Sequence, residues 1–215
     1  MPNGSKQRPR HVVLTGGIAT GKSCVLAQFD AIGVQTLDAD QLAHQTYAPG
    51  EPAWLAIRDR FGIELFDDEN RVDRRQLATL VFGDREALAA LNSIVHPHVR
   101  KEITRWLTDL DRKSSEPFAV VAIPLYYEGT PTSTFDTVIV TACHTDRQLR
   151  RVQDRGLDRQ EAVRRIEAQL PTADKVARGD YVIWTDGTFT GTELRVREIC
   201  RELSKISPLD CTSPA

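Results

Sequence analysis

The chain has 215 residues, 40% of them hydrophobic and 27% charged, with a formal net charge of −2. Such a length suits one α/β domain carrying an insertion, with enough apolar material for a buried core. The charge balance provides no global basic field for nucleic acid, and no apolar run reaches the roughly 20 residues of a membrane span.

Residues 1–10 are polar and basic with no apolar h-region, so a secretory signal is not expected and the segment reads as a flexible terminus. His11-Val12-Val13-Leu14 reads as a short buried strand, and Cys24 to Ile32 as an amphipathic helix. Between them, Gly16-Gly17-Ile18-Ala19-Thr20-Gly21-Lys22-Ser23 matches the phosphate-binding loop G-x-x-x-x-G-K-[ST] in the strand–loop–helix context that gives the motif its meaning. Glycines let backbone N–H groups turn inward around a polyphosphate, and the helix N-terminus adds positive dipole. Lys22 would supply a mobile charge for the β- and γ-phosphates, and Ser23 a hydroxyl for magnesium. The alternative reading is an accidental glycine turn.

Five apolar segments, 11–15, 34–38, 118–123, 137–142 and 181–184, alternate with helical patterns, which implies a five-stranded parallel sheet in an α/β fold. Ligands of such sheets bind beyond the carboxyl ends of the strands, where the loop, Asp38, Asp40, Pro124–Glu128 and Thr145 all fall. Asp38 and Asp40 are two apart and would point the same way in an extended chain. Either could accept the proton of an attacking hydroxyl or orient magnesium through water, and Asp38 could equally cap the helix beginning at Ala39. Spacing favours Asp40 as the base. Residues 41–116 form a helical excursion with helices at 51–61, 73–82, 84–95 and 97–112, more than a crossover needs, and therefore a lobe of their own. His96-Pro97 reads as a junction between two of them, the proline opening the second. In Pro124-Leu125-Tyr126-Tyr127-Glu128, the aromatic residues with the Glu128 carboxylate could line an acceptor pocket; the tyrosines could equally pack as core under the helical lobe.

Residues 145–178 form a second, arginine-rich excursion. Thr145-Asp146-Arg147-Gln148 reads as a capping box, and Arg147, Arg151 and Arg155 recur at four-residue spacing on one helix face. Asp158 with Glu161 opens the next helix, where Glu161 and Arg165 can pair. A solvated, salt-bridged helix pair accounts for most of these arginines. A phosphoryl-transfer site still needs mobile positive charge, and Arg151 and Arg155 are the candidates to deliver it. Trp54, Trp106 and Trp184 read as packing residues. The cysteines, Cys24, Cys143, Cys200 and Cys211, show no C-x-x-C spacing, which fits reduced thiols of a cytoplasmic protein. Residues 206–215 read as a second flexible terminus.

Taken together, Leu14 to Ser23, Asp38-Ala39-Asp40, Pro49-Gly50, His96-Pro97, Pro124-Leu125 with Glu128, Arg151 to Arg155, Arg165-Ile166 with Gln169, and Lys175 form an ordered series over roughly residues 11–203. In this series the chain resembles the dephospho-CoA kinase family. The resemblance implies a three-layer P-loop kinase fold in three parts: a core (11–40, 117–144, 179–205), a helical CoA-binding lobe (41–116) and a lid (145–178). It implies ATP and 3′-dephospho-CoA as substrates, with magnesium. Gly17, Ile18, Ala19, Thr20, Gly21, Lys22, Ser23 and Cys24 would hold ATP. Asp40 would be the base, Arg151 would stabilise the transferred charge with Arg155 assisting, and Asp38, Asp40, Leu125 and Glu128 would meet the acceptor.

Five positions depart from the family pattern. Ala19 stands where glycine is usual, so ordinary dihedrals are expected there. Cys24 replaces threonine, Thr185 replaces an asparagine near the nucleotide base, and Tyr126-Tyr127 replaces Leu-Phe. Another nucleotide kinase, or a nucleotide-dependent switch or binding protein, is the alternative. The [NT]-K-x-D motif of a GTPase switch is missing; Thr172-Ala173-Asp174-Lys175 has the wrong order.

Overall fold

A computed structural model describes residues 8–113, 116–129 and 134–205, with the backbone alone at 82 and 83. The expected flexible termini fall largely on 1–7 and 206–215, outside the described residues. Residues 8–10 are structured: β1 begins at Arg10, and Arg8 pairs with Asp136 at 2.6 Å. Two compact units divide the chain: residues up to Asp38 together with those from Leu107 onward, and Ala39–Trp106.

In the first unit, β1 (Arg10–Gly16), β2 (Gln35–Asp38), β3 (Phe118–Ala122), β4 (Thr137–Ala142) and β5 (Tyr181–Trp184) form one sheet in the order β2-β3-β1-β4-β5, every pair parallel. All seven residues of β1 are buried, as a central strand covered on both faces requires. Alternation sends Val12 and Leu14 to one face, where they meet Val25 and Phe29 of α1 (Lys22–Ala31) and Val196, Ile199 and Leu203 of α9 (Phe189–Lys205). Phe29 and Phe118 pack edge to face at 6.5 Å between centroids. Phe29 is fully buried, so truncating it to alanine would cost about 3–5 kcal/mol. The opposite face takes α8 (Thr172–Val176), after which Gly179 lies so close to the Val140 side chain that a Cβ there would clash. Helices therefore cover both faces of the sheet.

The second unit holds α2 (Ala39–Thr46), α3 (Pro52–Phe61), α4 (Arg74–Gly83) and the first three quarters of α5 (Arg85–Lys113), up to Trp106. Asp73 caps α4, accepting from the Arg75 and Gln76 N–H groups. The expected junction at His96-Pro97 is not there: α5 runs through Pro97 as one 29-residue helix. A proline costs one backbone hydrogen bond, and the length of amphipathic pattern on both sides of Pro97 carries the helix past it. The remaining helices, α6 (Thr145–Gln153) and α7 (Arg159–Glu167), belong with α8 to the first unit. Among the described residues no helix is long and apolar enough to cross a membrane.

Candidate active site

The glycine loop leaves the carboxyl end of the central strand and enters α1. Gly21 precedes that helix in a left-handed conformation, φ +92°, and a Cβ on it would sit 3.0 Å from Thr185 Cγ2. At Gly16 a Cβ would collide with the hydroxyl and carbonyl oxygens of Thr141. Glycine is thus required at one position by conformation and at the other by close approach. The first turn of α1, carrying Lys22, Ser23 and Cys24, has neither a side-chain cap nor an acidic residue. Protein helices ordinarily satisfy their first N–H groups from a capping side chain. Here no side chain does so, and the helix dipole is in the direction that favours an anion. Lys22 is half-buried beside them, and Ser23 and Cys24 are exposed.

Ala19 does not keep ordinary dihedrals. Its φ is +58°, the left-handed region that costs an L-residue about 1–2 kcal/mol, and the residue is buried. Hydrogen bonds on both sides hold it there. Before it, the Ile18 carbonyl accepts from Gln148 Nε2 at 2.8 Å and the Ile18 N–H donates to Gln169 Oε1 at 2.8 Å. After it, the Ala19 carbonyl accepts from Arg151 Nη1 at 3.3 Å, and the Thr20 N–H closes a turn onto the Gly17 carbonyl. A hydrophobic cluster of Ala19, Val152 and Ala162, with Leu149 and Ile166, packs α6 and α7 against the loop.

Gln148 therefore does not cap α6. The residue before the helix is His144, with no side-chain cap, and the Gln148 side chain, 4% exposed, is spent on the loop. The Asp158 cap on the Glu161 N–H and the Glu161–Arg165 pair, 2.8 Å each, are as expected. The arginine face is shorter than the spacing implied: α6 stops at Gln153, Gly156 turns with φ +89°, and exposed Arg155 lies past the helix end. Arg151 is half-buried and engaged, donating to Thr185 Oγ1 at 2.8 Å and to the Thr185 carbonyl at 2.7 Å. Thr185 Oγ1 in turn donates to the Thr20 carbonyl at 2.8 Å. Where the family pattern suggested a contact to the nucleotide base, Thr185 ties loop, strand end and Arg151 together. Trp184 beside it is half exposed, against the His144 ring, and is not a core residue.

Two threonines outside the motif, Thr15 and Thr141, support the loop together with Thr20 within it. Thr15 donates to the Pro124 carbonyl, Thr141 to the Thr15 carbonyl, and the Thr20 and Thr141 hydroxyl oxygens lie 2.8 Å apart. The signal at Thr15 and Thr141 was a hydroxyl at the carboxyl end of an otherwise apolar strand.

Asp38 is the last residue of β2, level with Ala122 and, one strand further, Leu14. Asp40 is exposed in the first turn of α2. Because the chain turns helical at Ala39, the two carboxylates do not share one face of an extended segment. Leu125 is exposed. Glu128 faces the helices that follow β4, where Oε1 accepts the Leu170 N–H at 3.0 Å and pairs with Lys175 Nζ at 2.6 Å. Lys175 is wholly buried. Tyr127 donates to the Arg178 carbonyl at 2.8 Å, and burial, with Tyr126 and Asp180 nearby, pushes its hydroxyl up to about 12.

The second unit carries a cavity of about 590 Å³ lined by His44, Tyr47, Arg71, Asp73, Arg74 and Arg75 among others. Burial raises the Tyr47 hydroxyl above its ordinary value against the opposing charge of Arg74. Among the described residues no three His, Cys, Asp or Glu side chains cluster as a metal cage.

A family model described as dephospho-CoA kinase matches residues 10–190. The dephospho-CoA kinase of Carboxydothermus hydrogenoformans is 38% identical over 190 residues, which are 88% of this chain and 92% of that one. The crystal structure of TT1252 from Thermus thermophilus superposes with a TM-score of 0.76 at 32% identity, covering 92% of this chain and 99% of the other. Dephospho-CoA kinase from Campylobacter jejuni shares the fold, with a TM-score of 0.64 at 24% identity over 94% and 100% of the two chains. With its uncapped helix behind a glycine loop and a family match over most of its length, the chain belongs to the dephospho-CoA kinase family.

Proposed function

We propose that the chain transfers the γ-phosphoryl group of ATP to the ribose 3′-hydroxyl of 3′-dephospho-CoA, giving CoA and ADP, the last step of coenzyme A synthesis, in the cytoplasm. The observation that carries this reading is the uncapped first turn of α1, behind a glycine loop at the end of the central strand, in a chain of this family. Phosphoryl transfer asks the protein for positioning and charge stabilisation rather than covalent chemistry. The loop amides from Gly17 to Cys24 hold the phosphates, and Lys22 follows the charge as it moves to the leaving oxygen.

Asp40 accepts the proton of the 3′-hydroxyl as its oxygen bonds to phosphorus. Arg151 and Arg155 are the cations for the transferring group. Arg151 is oriented by its Nη bonds to Thr185 and Ala19, while Arg155 is exposed beyond the helix end. The donor set suits magnesium, which is usually held by one or two protein oxygens plus phosphate and water rather than by a protein cage. Ser23 would be its direct protein ligand, with Asp38 or Asp40 through water, and it would neutralise β- and γ-phosphate charge. The lobe cavity, within the size range of small-ligand sites and rimmed by Arg71, Arg74 and Arg75, is proposed to take the phosphorylated part of the acceptor.

Replacing Asp40 with asparagine tests the assignment. Turnover should fall by about 10²–10⁴-fold with ATP affinity unchanged. Near-normal turnover would remove Asp40 from the base role.

A further inference from the structure

Ile18 is the one loop residue whose N–H and carbonyl are both bound by side chains from outside the loop. Gln169, between α7 and α8, accepts the N–H; Gln148, on α6, donates to the carbonyl. The two bonds fix the peptide planes on either side of Ile18; the second is also the plane that enters Ala19, while the Arg151 bond to the Ala19 carbonyl holds the plane that leaves it. The glutamines are themselves held in place. Leu170, next to Gln169, donates its N–H to Glu128, which is paired with the buried Lys175. Gln148 is buried where α6 meets the loop, so close that a Cβ on Gly17 would fall 2.9 Å from its Nε2.

We infer that Gln148 and Gln169 are positioning residues for phosphoryl transfer, a two-sided bracket that holds the Ile18 peptides so that Ala19 stays left-handed and the loop is shaped for a triphosphate before one arrives. Neither glutamine touches phosphate in this account; both act through the loop backbone. The need for them is specific to this chain's own loop. A glycine at position 19 would adopt φ +58° without cost, whereas an alanine there is stable only where its surroundings over-determine it. The bracket supplies that constraint through side chains far away in sequence. The inference rests on the loop being the nucleotide site and not on the identity of the acceptor.

The test is calorimetric binding of ATP with magnesium to the full chain, together with a thermal melt of each variant. Gln169→Ala removes one arm at a half-buried position, and Gln169→Leu removes the acceptor while keeping most of the volume. Either change is expected to weaken ATP binding by roughly tenfold, the scale of one lost hydrogen bond to a group left unsatisfied. Adding Ala19→Gly to either variant is expected to recover most of that loss. In steady-state assays the loss should appear in KM for ATP and not in KM for the acceptor. A purely structural role would lower the melting temperature and leave ATP affinity intact, and that result overturns the inference. So does a tenfold loss that Ala19→Gly leaves untouched. Both readouts stand even where no CoA is formed, so failure of the proposed acceptor is a separate outcome.

Discussion

Arg151 and Thr185 are joined twice: one guanidinium nitrogen donates to the Thr185 hydroxyl at 2.8 Å and the other to its carbonyl at 2.7 Å. That hydroxyl also donates to the Thr20 carbonyl, so one buried threonine links the loop, the end of β5 and α6. Thr185→Val keeps the shape and removes the hydroxyl. It leaves the Thr20 carbonyl without that donor and Arg151 Nη1 with only its 3.3 Å bond to the Ala19 carbonyl, at a cost of about 1–3 kcal/mol. The urea midpoint should fall accordingly and ATP affinity weaken severalfold, with Thr185→Ser restoring both. A Thr185→Val variant as stable as the parent would show that the hydroxyl is not a strut.

The Glu128–Lys175 pair predicts an asymmetry. Lys175 is wholly buried and the Glu128 side chain 20% exposed, at 2.6 Å. Glu128→Ala strands a buried ammonium and should cost about 3–5 kcal/mol, whereas Glu128→Gln together with Lys175→Met should cost markedly less. Denaturant titrations of both variants check this. Equal destabilisation would mean that packing, and not the charge, is at issue.

At the other end of the sheet, Asp136 accepts from both Arg8 Nη groups at 2.8 and 2.6 Å and from the His11 N–H at 2.8 Å. Burial alone would raise this carboxyl; the Arg8 and His11 hydrogen bonds outweigh it and hold it below its ordinary value. A depressed folded value means that the stabilisation is complete above the unfolded value near 3.9 and is lost as the pH falls through the lower folded value. Asp136→Asn should therefore be less stable than the parent at neutral pH, and the gap should close below about pH 4. Melting temperatures across that range test it; a gap constant down to pH 3 contradicts it.

In the lobe, Arg74→Ala and Arg75→Ala remove charge from the cavity rim without touching the first unit's sheet. Each should raise KM for the acceptor by several-fold to about tenfold while leaving KM for ATP unchanged. The opposite pattern would move the cavity out of the acceptor site.

These relationships mark what a sequence can and cannot convey. The five strands and the loop were legible because apolar runs and a glycine pattern are local signals, and local signals survive folding. Gln148 was misread because T-x-x-Q is also a local pattern, while the partner of its side chain, Ile18, lies 130 residues away. Ala19 was misread for the same reason: alanine prefers ordinary dihedrals, and only contacts from α6 and the Gln169 segment overrule the preference. Arg155 fell off its expected helix face because the αL turn at Gly156 ends the helical run two residues earlier than the periodicity implied. Pro97 reads as a boundary on propensity alone, yet the flanking helix is long enough to absorb it. Asp40 is proposed as the base from its place after β2, since strand ends in parallel sheets are where chemistry collects.

The most direct test of the central claim is product formation by the purified chain given ATP, magnesium and one of three acceptors: 3′-dephospho-CoA, AMP or shikimate. The account predicts CoA and ADP in equal amounts with the first acceptor and no phosphorylated product above background with the other two. Phosphorylation of AMP or shikimate with no CoA formed would contradict it.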